Sequence, residues 1–229
     1  MRFHCVLVLA VVLSPLVASA QEGPFKVEPL KEAPPAGLGA PVKEALGGGQ
    51  AYRVLDGQGK PFLEIWLRKE IPATDKPAGP KGAILFPVLS EGELLGAVRY
   101  VAEGHDYRDQ AIAPGVYTLR YGLQPVNGDH LGVSENRDYG LLLPAAKDST
   151  VEDLPQKRLE TQSAEAAGTN HPAVLLLQAA PAEAKEPVMV NDEVKMTWGL
   201  VLPLSLAVKG QSGSVPLTVQ LIIFGAAMM

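Results

Sequence analysis

"EVKMTWGLVLPLSLAVKGQSGSVPLTVQLIIFG" runs from Glu193 to Gly225. Two apolar runs flank a short polar turn, Lys209-Gly210-Gln211-Ser212-Gly213. In the second run Val215, Leu217, Val219, Leu221 and Ile223 alternate with Pro216, Thr218 and Gln220. That period of two is the signature of a strand with one face buried. The stretch predicts a long β-hairpin with one strand in the middle of a sheet. A C-terminal membrane anchor is the competing reading. Thr218 and Gln220 interrupt the run, which is shorter than the ~20 apolar residues a span requires.

The same grammar recurs upstream. "AYRVLD" (51–56) and "PFLEIWLRK" (61–69) surround Gly57-Gln58-Gly59-Lys60, a second hairpin. Leu63, Ile65 and Leu67 share one face; Phe62, Glu64, Trp66 and Arg68 share the other. "AILFPVLS" (83–90) and "ELLGAVRYV" (93–101) are further strand-like runs, the first placed at an edge by Pro87. Val116 to Tyr121 alternates with Tyr117, Leu119 and Tyr121 on one face, and Tyr139 to Leu143 and "AVLLLQ" (173–178) follow. Helix is expected only between Lys147 and Gly168, as two short turns separated by Pro155. About ten strands at short spacing with almost no helix predict an all-β fold, an antiparallel β-sandwich or barrel-like sandwich, spanning residues 51–229.

Before it, residues 21–50 hold five prolines and a Gly47-Gly48-Gly49 break, which favour an extended lead with one helical turn near Val42–Leu46. Residues 1–20 have the form of an export signal. Arg2 supplies the positive start and Cys5 to Val17 the apolar run, and Ala18-Ser19-Ala20 gives small residues at −3 and −1 of a cleavage site before Gln21. Cys5 is the only cysteine, so the exported chain would have no disulfide and would rest on its core alone. The localisation expected is secreted or periplasmic, with no membrane span after cleavage.

Twenty Lys and Arg against 25 Asp and Glu give a net charge of −5, with no basic cluster beyond Lys157-Arg158. This argues against a nucleic-acid partner and against attraction to an anionic membrane.

Chemistry concentrates in "PVNGDHLGVSENRD", Pro125 to Asp138. Asp129, His130, Glu135, Arg137 and Asp138 fall within ten residues between two apolar strands, and a polar loop on a rigid scaffold is where binding groups collect. Four readings compete. Asn127, Asp129, Glu135, Asn136 and Asp138 offer oxygens for Ca²⁺, although their order is not an EF-hand loop. His130 could join His105 and His171 in a Zn or Cu site, although no two share a ligand spacing. Arg137 and Asp138 could form a charge pair that pins the loop, the role favoured here. Asn-Gly-Asp and Ser-Glu-Asn could simply make turns. No GxSxG elbow, HExxH or P-loop is present, and Ser134 near His130 and Asp138 does not by itself make a triad. Exposed Trp66, Tyr100, Tyr107 or Tyr121 would suit sugar stacking; burial in a two-sided sheet is the reading preferred.

Ala113-Pro114-Gly115-Val116-Tyr117-Thr118-Leu119 resembles the PGxYxL turn-into-strand of prealbumin-like and Cna-B-like modules. Tyr117–Tyr121, Gly128-Asp129-His130, Gly132 and Arg137-Asp138 resemble an arrangement in uncharacterised bacterial secreted β-sandwich proteins. The resemblance implies an exported β module and carries no activity with it. The expectation is therefore a non-catalytic exported module that binds an unknown protein or envelope polymer, or that serves structurally, with no cofactor. A metal-binding or carbohydrate-binding module is the alternative, and a hydrolase ranks third.

Overall fold

The computed structural model describes residues 25–126 and 134–226. The expected signal, its cleavage before Gln21, and Asn127, Asp129 and His130 lie outside the described residues. Thirteen strands and two helices follow in the order β1 (Lys26–Pro29), α1 (Ala40–Leu46), β2 (Ala51–Leu55), β3 (Pro61–Leu67), β4 (Ile71–Ala73), β5 (Leu94–Tyr100), β6 (Gly104–His105), β7 (Ala111–Ile112), β8 (Gly115–Leu123), β9 (Asp138–Pro144), α2 (Gln156–Ala167), β10 (Val174–Ala179), β11 (Met189–Asp192), β12 (Thr197–Val208) and β13 (Val215–Phe224).

Eleven strands make one curled sheet, ordered β1-β2-β3-β5-β8-β9-β10-β13-β12-β11, with β4 added beside β12; β6 and β7 form a separate small hairpin. Neighbours are antiparallel except β4 and β12, which run parallel. The curl turns at β10. Its residues Val174 to Leu176 bond to β9, and Leu177 to Ala179 bond to β13. The two halves of the sheet therefore face each other across one core. Leu63, Ile65, Val98 and Leu119 come from one half, and Leu202, Leu204, Val219 and Leu221 from the other. This is the all-β, half-barrel form of sandwich that the alternation predicts. The C-terminal hairpin sits where its pattern puts it, with β13 between β10 and β12 and Leu221 fully buried.

Three local readings are corrected. Residues 83–90 make turns and no strand: the backbone N–H groups of Leu85 and Phe86 donate to the Asp138 carboxylate at 2.8 and 3.1 Å instead of to a ladder. Pro155 does not interrupt a helix but precedes one, since a proline's missing donor is harmless at a helix start. α2 then runs unbroken and stops at Gly168, whose φ of 63° suits glycine. Phe62 turns inward beside Leu63 because a register shift lies between Val54 and Leu55 on β2; its ring meets Phe25 at 5.2 Å and Tyr100 at 5.8 Å.

Trp66 is buried, which is the reading preferred above. The Pro/Gly-rich lead is extended over much of its length and docks along the outer face of the sheet. There β1 pairs with β2, while Leu38, Val42 and Leu46 pack on Trp66. The indole N–H donates to the Glu32 carbonyl at 2.9 Å. Beside it, Arg53, Glu64 and Arg99 stand in register on β2, β3 and β5. Glu64 is buried between the two guanidiniums, accepting from Arg53 Nε at 2.8 Å and from Arg99 Nε at 2.5 Å, and Glu32 of the lead closes the cluster on Arg53 at 2.6 Å. Tyr100, Tyr107 and Tyr121 are buried as well, so none of the four aromatics forms an exposed stacking platform.

Candidate functional site

Of the loop singled out in the sequence, the described residues Ser134 to Asp138 include two anchors. Asp138 is fully buried at the start of β9. Its Oδ2 accepts the Leu85 N–H, and its Oδ1 accepts the Phe86 N–H and the Tyr121 hydroxyl, the last at 2.6 Å. Burial first, and then the Asp138 carboxylate, raise the Tyr121 pKa, so the hydroxyl remains a donor. Arg137 lies next to Asp138 but points elsewhere. Its Nε donates to the Gln124 carbonyl at 2.7 Å, and its backbone N–H to the Ala83 carbonyl at 2.9 Å. Both residues pin the loop, through separate partners instead of through each other. Glu135 is exposed, and Ser134 Oγ accepts the Asn136 N–H at 3.2 Å, a turn contact. Asp138 thus has both oxygens committed to structural donors.

The histidines go different ways. His105 Nδ1 meets Asp109 Oδ1 at 2.8 Å on the surface. His171 lines a cleft described below. Among the described residues, no group of three or more His, Cys, Asp or Glu is placed to hold a metal ion. No helix of the described residues is long and apolar enough to cross a membrane.

Two buried carboxylates that sequence reasoning missed fix the frame around that cleft. Asp148 and Arg120 are both fully buried; Nε meets Oδ2 at 2.6 Å and Nη2 meets Oδ1 at 2.9 Å, with the Thr118 hydroxyl donating to Oδ2. The same guanidinium donates to the carbonyls of Gly92, Thr150 and Glu152. One arginine on β8 therefore holds the segment that leads into α2. Gly92 must be glycine here: its φ is 89°, and a Cβ would come within 2.1 Å of the Leu154 carbonyl oxygen. Asp106, also fully buried, accepts from the backbone N–H groups of Arg108, Gln110 and Val174, which ties the β6–β7 hairpin to β10. Its signal was present in the sequence as an Asx turn, Asp106-Tyr107-Arg108.

Between α2 and the outer face of β8, β9 and β10 lies a cleft of about 790 Å³. Its floor is apolar: Leu123, Leu141, Leu159 and Val174. The floor is open partly because Gly122 has no side chain; a Cβ there would strike Leu141 at 2.1 Å. The rim is polar and its charges are separated. Glu91 and Glu160 lie toward the start of α2, where the Leu154 N–H donates to the Gly92 carbonyl at 3.2 Å. Arg108 and His171 lie toward its end, where the Thr169 hydroxyl donates to Gln110 Oε1 at 2.6 Å and accepts the His171 N–H at 3.0 Å. Tyr139 stands beside Arg108; burial pushes its hydroxyl up to about 12, so it is a neutral donor at physiological pH. The Arg108 guanidinium and the His171 ring make no hydrogen bond or ion pair among the described residues, although Arg108 interacts electrostatically with Tyr139. Of the residues expected to bind, none of the described ones lines this cleft; it adjoins their loop at Gln124 and Pro125.

No family model matches the chain, and it has no match among the curated proteins or among the solved structures.

Proposed function

We propose that this protein is an exported, non-catalytic binding module whose ligand enters the cleft under α2. The observation that carries the reading is the cleft itself. A volume of about 790 Å³ lies within the ~300–1,000 Å³ of ligand sites, and an apolar floor ringed by a few polar groups is their usual chemistry. The frame is rigid, because Arg120, Asp148 and Asp106 fix the segments that flank it. Export rests on the composition of residues 1–20. A purely structural module would not need so large an apolar cleft open beside unpaired donors.

The test is methyl NMR of the folded chain titrated with small neutral apolar fragments, for which indole and cyclohexanol serve. The methyls of Leu123, Leu141, Leu159 and Val174 should shift in the parent protein. They should not shift in Ala164→Trp, which fills the cleft from α2. If core or hairpin methyls respond while these four stay silent, the cleft is not the binding site.

A further inference from the structure

Resting on the cleft reading above, we infer that the ligand is a short apolar peptide with both ends free, bound with its carboxylate at Arg108 and His171 and its ammonium at Glu91 and Glu160. Three features lead there. The first is polarity: donors gather at one end of the cleft and carboxylates at the other, so an occupant of a single charge would satisfy one end and oppose the other. The second is length. The cleft is lined by α2 from Gln156 to Glu165, a stretch of helix about 15 Å long. An extended peptide of four or five residues covers about 13–18 Å. The third is the middle. The floor is aliphatic, whereas the carboxamides of Gln156 and Asn170 stand on the rim; Gln156 Nε2 donates to Glu160 Oε1 at 3.1 Å and leaves its own oxygen as an acceptor, and Asn170 offers a donor and an acceptor. Backbone amides require that pairing, and an alkyl chain does not use it.

The electrostatics are consistent with a planar anion at the far end. Arg presents a fork of N–H groups matched to a carboxylate; the neutral Tyr139 hydroxyl beside it makes a long 3.5 Å bond to Gln124 Oε1, which a carboxylate would displace. Glu165 also lines the cleft but faces Lys147 at 3.7 Å, which offsets its charge.

The experiment is a calorimetric titration of the full chain with the tetrapeptide Ala-Leu-Val-Leu, its C-terminal amide and its N-acetyl form. The free peptide should bind, and amidation should weaken it about tenfold or more, as expected for a charge-assisted pair. Arg108→Gln should bind the free and amidated forms alike, and Glu160→Gln should lose discrimination against the N-acetyl form. Both substitutions are at the cleft rim, and circular dichroism would confirm that the variants fold. If the parent binds the amide as tightly as the free acid, recognition of the ends is wrong. If no peptide binds while indole and cyclohexanol still move the floor methyls, the ligand class is wrong and the cleft stands. If neither peptides nor fragments bind, both readings fall together.

Discussion

Replacing Asp138 by Ala removes one carboxylate and leaves three donors without their acceptor: the N–H groups of Leu85 and Phe86 and the Tyr121 hydroxyl. Leu85 is half-buried and can recruit water, whereas Phe86 and Tyr121 are buried. A buried donor left unsatisfied costs about 1–3 kcal/mol. Two such donors, less the relief of no longer burying a carboxylate, give an expected loss of about 2–4 kcal/mol. Asp138→Asn should fall between parent and Ala, because it keeps one oxygen but turns an amide N–H₂ toward an N–H donor. Urea denaturation followed by tryptophan fluorescence reads this directly, since Trp66 is buried and reports loss of the folded state. With a slope of about 1–3 kcal/mol per molar urea, the midpoint should drop by about 0.7 M or more at unchanged slope. Tyr121→Phe in the same background supplies the control. If the hydroxyl bond is as drawn, the double variant should be less destabilised than the sum of the singles by about 1–2 kcal/mol. A loss below about 1 kcal/mol for Asp138→Ala, or strict additivity of the two changes, would show that this carboxylate does not anchor the 83–86 segment.

Three other outcomes follow from the same geometry. Asp148→Ala should cost about 3–5 kcal/mol by stranding the Arg120 charge in the interior. Arg120→Met with Asp148→Leu should not recover the full loss, because the carbonyls of Gly92, Thr150 and Glu152 lose their donor; thermal unfolding of the two variants compares them. Burial pushes the Glu93 carboxyl up to about 7, with Asp153 adding to the rise and the Ser90 N–H and Arg68 opposing it. A folded pKa above the unfolded one gives stability that is complete below about 4.5 and is lost as pH rises through about 7. Glu93→Gln should therefore match the parent near pH 5 and exceed it by about 1–3 kcal/mol near pH 8, measured by urea denaturation at both values; equal differences at the two would refute the assignment. Leu221→Ala should destabilise by about 2–5 kcal/mol as a cavity in the central strand, and a midpoint shift worth well under 1 kcal/mol would mean that β13 is not packed as described.

The strands were legible where alternation was clean, as in Val215 to Ile223, and where a Gly-rich turn separated two runs, as at residues 57–60. Legibility failed where one side chain changed the fate of a backbone segment. Nothing local in "AILFPVLS" announces that a carboxylate some fifty residues later takes its N–H groups. Period two puts Trp66 on one face with Glu64 but cannot say what covers that face; the lead does so here. Arg120 belongs to the polar positions of an alternating strand, and its burial is visible only once Asp148 is placed against it. The candidate loop was legible as a concentration of charge. The cleft was not, since Arg108, Leu141, Glu160 and His171 meet only through the packing of α2 on β9.

The parallel ladder between β4 and β12 joins residues 71–73 to residues 206–208. That contact spans most of the chain, and the face-to-face core depends on strands that close late in the sequence. Pairings so distant carry a large loop-closure entropy before any burial compensates. A ribosome or translocation channel delivers this chain amino end first, so Leu63, Ile65 and Ile71 emerge long before Leu202 and Leu206 can cover them. The first half would expose an open apolar sheet until the last hairpin arrives. For a chain exported as proposed, this favours threading through the membrane unfolded, with a holdase shielding the early strands, and a burst of cooperative closure once the carboxyl end is released.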